Sequence, residues 1–148
     1  MINFSLFRRG SAIDTSDWNA PNEHKFVTLI VEDNASFREY FKESLQNRFP
    51  SMVIEETGDG NEVLQKVGNL YPVLIFMDIR LPGENGLQLT KKIKKNHSDI
   101  KIIILTTYDL PEYREAAFQY GANSFMTKDS LNWGEIDTLI KSISSDSN

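Results

Sequence analysis

An α/β domain, a doubly wound sheet of five parallel strands with five helices, is predicted here by three observations. Short apolar runs alternate five times with segments of helical periodicity, the pattern of strand–helix units that build a parallel sheet. An Asn or Asp stands at the start of each helical segment, where its side chain can cap exposed backbone N–H groups. The run Val73–Met77 ends in a single carboxylate, Asp78, followed by the turn-rich Pro82-Gly83-Glu84-Asn85-Gly86. A continuous apolar run bounded by turn signals suits a strand buried on both faces. Right-handed crossovers leave few ways to connect such units.

The elements follow in order. Phe26–Val31 is a β-branched central strand ending in Glu32 and Asp33. Asn34 caps a helix carrying Phe37, Tyr40, Phe41, Leu45 and Phe49 at helical spacing, which Pro50 stops. Met52–Ile54 is a short second strand. Asp59 and Glu62 have the spacing of a capping box, with Val63, Leu64, Val67 and Leu70 on one helical face after them. The strand ending at Asp78 is third. Asn85 and Gln88 repeat the cap spacing before a helix with Leu89 and Ile93. Ile100–Leu105 is the fourth strand, ending in Thr106 and Thr107. Asp109 caps the next helix, with Pro111 and Glu112 in its first turn, Tyr113, Ala116, Ala117 and Tyr120 inward, and Gly121 closing it. Ala122–Thr127 is a weaker fifth strand ending at Lys128. Asn132 and Glu135 open the last helix, with Ile136, Leu139, Ile140 and Ile143 on its buried face.

At 148 residues the chain fits one domain with a sizeable core, over 25–143. Residues 1–24 read as a flexible arm, although Phe4, Leu6, Phe7, Ile13 and Trp18 leave docking open; 144–148 read as a polar tail. The apolar fraction of 40% and charged fraction of 25% are ordinary for a soluble domain. A net charge of −5 argues against direct nucleic-acid binding. With no cysteine, thiolate chemistry and Cys-based metal sites are excluded, and having only His24 and His97, far apart in polar surroundings, argues against a His-based metal site. There is no apolar run of about 20 residues and no signal-peptide core, so no membrane partner is expected and the location is read as cytoplasmic. Lys91, Lys92, Lys94 and Lys95 form a basic cluster most simply read as a solvated helix face.

Parallel strands place their carboxyl ends on one rim, where such folds bind ligands. The first strand brings Glu32 and Asp33 there, the third Asp78, the fourth Thr106 and the fifth Lys128. Three carboxylates in one place repel unless a cation intervenes. A hard cation such as Mg²⁺, held by one or two carboxylates plus phosphate oxygens, suits Asp33 and Asp78 as ligands, with Glu32 acting through water. Lys128 supplies a fixed positive charge and Thr106 a hydroxyl donor. That is equipment for accepting a phosphoryl group on a carboxylate. Each member alone also has a plainer reading: Asp78 or Glu32-Asp33 as turn residues, Thr106 as a strand-end threonine, Lys128 as a surface lysine.

Taken together, Val31–Asn34, Met77–Gly86, Ile104–Thr107 and Gly121–Lys128 resemble the receiver domain of two-component response regulators, over about Lys25 to Ile143. The resemblance implies a CheY-like, flavodoxin-like sheet of order 2-1-3-4-5. It implies Asp78 as phosphoacceptor, Glu32 and Asp33 as the acidic pair for Mg²⁺, and the backbone carbonyl of Arg80 as a further ligand. Thr106 and Lys128 would bind the phosphoryl group. Thr106 and Phe125 would form the switch that alters the face of fourth helix, fifth strand and fifth helix, with a strand phenylalanine that is merely core as the plainer reading of Phe125. Arg80, Thr107 and Tyr108 would modulate the site, the bulk of Arg80 and Tyr108 slowing hydrolysis. The implied donor is a sensor histidine kinase or phosphotransfer protein, and the same switching face is a candidate homodimer surface. Asp129 follows the lysine where many members have proline.

Three other protein classes share parts of this pattern. A dehalogenase-like phosphatase needs a second Asp two residues after the first, and Arg80 stands there, which argues against an enzyme turning over a substrate. A pseudo-receiver that binds without phosphorylation usually lacks one of these residues, and all are present. The receiver half of a DNA-binding regulator fits as well as a stand-alone receiver. No G-x-x-x-x-G-K loop offers ATP as direct donor.

Overall fold

The computed structural model describes residues 25–146; the arm expected over 1–24 and the end of the tail lie outside the described residues. Five parallel strands form one sheet in the order β2-β1-β3-β4-β5. They are β1 (Val27–Val31), β2 (Val53–Thr57), β3 (Leu74–Met77), β4 (Lys101–Thr106) and β5 (Ser124–Thr127). The helices are α1 (Ala35–Arg48), α2 (Val63–Leu70), α3 (Gly86–Asn96), α4 (Pro111–Gln119) and α5 (Trp133–Asp146). The expected fold class and strand order are both observed. Among the described residues no helix is long and apolar enough to cross a membrane.

Alternation along the strands divides the core in two. Leu29, Val31, Ile75, Met77, Ile102, Ile104 and Phe125 face Val63 and Val67 of α2, Leu89 and Ile93 of α3 and Ala117 of α4. On the other face, Ile30, Leu74, Phe76, Ile103, Leu105 and Met126 meet Phe41 and Leu45 of α1 and Ile136, Ile140 and Ile143 of α5. Phe41 sits edge-on to Phe76 at 4.8 Å between ring centres and stacks on Trp133 at 5.5 Å. That chain of rings fastens α1 and α5 to the sheet.

Ladder register sets the rim. Val31 pairs with Met77 and with Thr57, and Met77 with Ile104. The residues that follow each strand continue the ladder: Asp78 N–H donates to Val31 O (3.0 Å), Glu32 N–H to Thr57 O (2.9 Å) and Lys128 N–H to Thr106 O (2.9 Å). The polar side chains are thus carried on a backbone fixed by its neighbours.

Several local expectations need correction. Strand β2 runs to Thr57, beyond the expected Ile54, because pairing with β1 continues past the apolar stretch. The β5 strand begins at Ser124, and α5 extends to Asp146. Asp59 accepts from Asn61 N–H, but Glu62 does not reach back; its carboxylate takes the Thr57 hydroxyl at 2.9 Å, so no reciprocal box forms. Asp109 does not cap α4: the cap is Leu110, without a side-chain bond, and Asp109 is drawn instead to Arg114 at 3.0 Å. Leu64 and Tyr40 lie on exposed faces rather than in the core. The caps at Asn34, Asn85 and Asn132 form as expected.

Thr28 is buried on β1, and its hydroxyl has no partner among the described residues. An orphaned buried hydroxyl costs about 1 kcal/mol or more. Thr28→Val, which keeps the branched shape, is expected to stabilise the fold by about 1 kcal/mol in urea unfolding; a loss of that size would show that the hydroxyl is satisfied.

Candidate functional site

At the carboxyl end of β3, Asp78 is buried, 5% exposed, in a position where a charge needs partners. Its Oδ1 accepts from Ile79 N–H at 2.7 Å and its Oδ2 from Lys128 Nζ at 2.9 Å. The same ammonium lies 2.6 Å from Glu32 Oε1, while Glu32 Oε2 accepts from Asn34 N–H at 3.0 Å. Lys128 therefore ties the ends of β1, β3 and β5 together, with the ring of Phe37 5.1 Å from its nitrogen.

Asp33 differs from its neighbours. It is exposed, and its carboxylate has no hydrogen-bond or ion-pair partner among the described residues. Oxygens of Glu32, Asp33 and Asp78 lie within 4.8 Å of one another. Three carboxylates against one ammonium leave two negative charges uncompensated, and every donor atom is a hard oxygen. Such a set fits a divalent, oxygen-seeking cation such as Mg²⁺.

The electrostatics follow from burial. Loss of solvent pushes the Glu32 carboxyl above its ordinary range, and the nearby Asp78 charge adds to this; bonds from Lys128 and Asn34 offset it only in part. Burial alone would lower Lys128, but its bonds to Glu32 and Asp78 outweigh that and hold the ammonium above its usual value.

Thr106 is fully buried at the end of β4. Its hydroxyl oxygen accepts from Tyr108 N–H at 3.3 Å, and no hydrogen bond joins it to Asp78 or Lys128. It stands on the rim with no side-chain hydrogen bond to the carboxylate cluster. Phe125 is in the core on the α4 side, 6% exposed. Arg80, Thr107 and Tyr108 are exposed on the loops after β3 and β4. Arg80 lies over the Tyr108 ring, 3.8 Å from its centre, and donates to the Tyr113 hydroxyl at 3.3 Å.

Sequence reasoning missed several supports of this site. Arg38, one turn into α1, donates to the Glu32 carbonyl at 2.6 Å and pairs with Glu56 at 3.0 Å. Its charge on an otherwise apolar-to-polar helix carried no distinguishing mark. Gly86, read only as part of a turn, packs directly beneath the Asp78 backbone: a Cβ there would lie 2.8 Å from the Asp78 carbonyl carbon and closer still to its oxygen. Gly83, with φ +81°, makes the left-handed turn of the same loop.

A doubly wound parallel sheet whose central strands deliver a lysine-bound acidic cluster to the carboxyl rim is the class of domain described so far. The chain belongs to the response regulator receiver domain family, whose model matches residues 28–142. It is 28% identical over 122 residues to the transcriptional regulatory protein DegU of Brevibacillus brevis, covering 82% of this chain and 50% of that protein. It is 36% identical over 103 residues to the oxygen regulatory protein NreC of Staphylococcus carnosus, covering 69% of this chain and 48% of that protein. The crystal structure of a LuxR-family DNA-binding response regulator from Staphylococcus aureus superposes with a TM-score of 0.71 at 25% identity, covering 80% of this chain and 98% of that one. The chain spans about half the length of the curated relatives it matches.

Proposed function

We propose that this receiver accepts a phosphoryl group on Asp78 from a phosphohistidine of a sensor kinase or phosphotransfer protein, with Mg²⁺, and signals by a change in its α4–β5–α5 face. The observation that carries this reading is the cluster of Glu32, Asp33 and Asp78 oxygens within 4.8 Å, joined to Lys128. An Asp78 oxygen attacks phosphorus, an O–P bond forms, and the P–N bond breaks with its electron pair returning to the imidazole. Glu32, Asp33, Asp78 and the backbone carbonyl of Arg80 would hold Mg²⁺, which supplies charge neutralisation for the transferring oxygens. Lys128, already on Asp78 Oδ2 at 2.9 Å, needs only a small displacement to follow charge onto the phosphoryl oxygens. The Thr106 hydroxyl exchanges its bond with the Tyr108 amide for one to the phosphoryl group, and Phe125 responds by repacking. Arg80, Thr107 and Tyr108 flank the route of a hydrolytic water, and the stacked Arg80 and Tyr108 lengthen the life of the acyl phosphate. No turnover of a separate substrate is proposed, and the protein works in the cytoplasm.

Incubation with acetyl phosphate and Mg²⁺ is expected to add one phosphoryl group by intact mass, and chelation to abolish the gain. Folded protein that gains nothing with metal present would make this a binding module independent of phosphorylation.

The names of the relatives favour one output. A match to a transcriptional regulatory protein and to a LuxR-family DNA-binding regulator supports transcriptional control as the downstream event. A homodimer through α4–β5–α5 is compatible with that reading.

A further inference from the structure

Helix α4 meets the core through Ala117, with Tyr113, Ala116 and Tyr120 packed partly buried beside it. Its N-cap, Leu110, provides no side-chain bond, and Ala117 is its one fully buried residue. An uncapped start and a single fully buried residue place α4 towards the less stable end of the fold. Two adjacent residues in the first turns of α4 nevertheless reach both ends of the proposed signal path. The Tyr113 hydroxyl accepts from Arg80, two residues beyond Asp78, while Arg80 lies over the Tyr108 ring. The Arg114 guanidinium covers the Phe125 ring at 4.6 Å and is steadied by Asp109 at 3.0 Å. Phe125 is thus closed in from outside by a side chain of the helix that must shift if the ring repacks.

We propose that Tyr113 and Arg114 form a latch on α4 that holds the resting arrangement by clasping Arg80 on one side and Phe125 on the other. The two residues are positioning residues: neither touches the carboxylate cluster. The proposal rests on the reading of Asp78 as phosphoacceptor. Each contact is an exposed or half-exposed one, so its loss shifts the resting equilibrium modestly, by about threefold. Because a ligand that selects a minor state gains apparent affinity in proportion to that state's population, removing the latch tightens binding of a phosphoryl mimic.

The test is calorimetric titration of the full chain with beryllium fluoride in the presence of Mg²⁺, with urea unfolding in parallel. Tyr113→Phe and Arg114→Gln are each expected to bind about threefold tighter than the wild type, and the double variant about tenfold tighter. Asp109→Asn, which frees the guanidinium without removing it, gives a smaller gain in the same direction and serves if Arg114→Gln does not fold. Equal or weaker binding by folded variants, with the wild type binding normally, overturns the latch alone. A wild type that binds no beryllium fluoride overturns the reading of Asp78 and the latch with it.

Discussion

Lys128→Met is expected to cost about 3 kcal/mol or more of folding stability at neutral pH, although the thioether fills nearly the same space. Lys128 is 15% exposed, and its ammonium is shared by Glu32 and Asp78, whose side chains are 3% and 7% exposed. Truncating one partner of a buried ion pair leaves an uncompensated buried charge, typically a loss of about 3–5 kcal/mol; here two such charges are left facing each other. The sign of the pH dependence follows. Glu32 already titrates above its ordinary value, so the folded state binds its proton more tightly than the unfolded state, and stability falls as pH rises through that raised value. The Lys128 contribution has the same direction at the alkaline end: present below its ordinary value and lost as pH rises through the raised one. Without the ammonium, Glu32 rises further, and the deficit of Lys128→Met is expected to shrink as the pH is lowered from neutral towards the carboxylate range. Mg²⁺ is expected to recover part of the loss. Urea titrations of both proteins across pH, with and without Mg²⁺, check this; a deficit independent of pH and metal would mean that Lys128 stabilises through packing rather than charge.

Gly86→Ala is expected to be nearly as damaging. A methyl at Gly86 meets backbone only: the Asp78 carbonyl, whose carbon would be 2.8 Å away, and Ile79 Cα at 3.0 Å. Gly86 N–H also donates to Ile79 O at 2.8 Å, which pins the loop against the site. No flexible side chain can give way, so the start of α3 or the end of β3 must move. Overpacking of this kind costs about 1–3 kcal/mol, and the upper end is expected with backbone on both sides. Loss of acetyl-phosphate reactivity should accompany it, since the displaced atoms belong to Asp78 itself. Gly68→Ala is the control: nothing lies within 4 Å of its Cβ, and it sits inside α2. Alanine there is expected to stabilise by about 0.5–1 kcal/mol. Equal effects at the two positions, measured by urea unfolding, would contradict the close approach beneath Asp78.

The same residues show what was legible in the chain and what was not. A run of five apolar residues that ends in a lone carboxylate is a local signal, and so are the asparagines whose side chains close α1, α3 and α5. These features need only neighbouring residues, and they were sufficient to order the elements and to bring Glu32, Asp33, Asp78, Thr106 and Lys128 to one rim. What was misread depends on partners distant in sequence or on competition for one side chain. Asp109 has the right type and place to cap α4, yet Arg114 takes its carboxylate. Glu62 has the spacing of a box, but the Thr57 hydroxyl offers a nearer bond. Ser124 gives its hydroxyl to Glu135 across the gap between β5 and α5, a pairing that no periodicity announces. Tyr71 takes a left-handed conformation, φ 48°, where glycine would have been the local signal for ending α2. The clasp of Arg80 by Tyr113 and of Phe125 by Arg114 belongs to the same group: ordinary residue types made specific by the fold alone.

Chemical trapping decides whether Asp78 itself carries the phosphoryl group. After acetyl phosphate and Mg²⁺, borohydride reduces an aspartyl phosphate to homoserine, which marks the residue permanently. Peptide mapping is expected to find homoserine at position 78 and nowhere else, with none formed when metal is chelated. Homoserine at position 32 or 33, or an unmodified Asp78 in protein that has gained a phosphoryl group, would contradict the assignment.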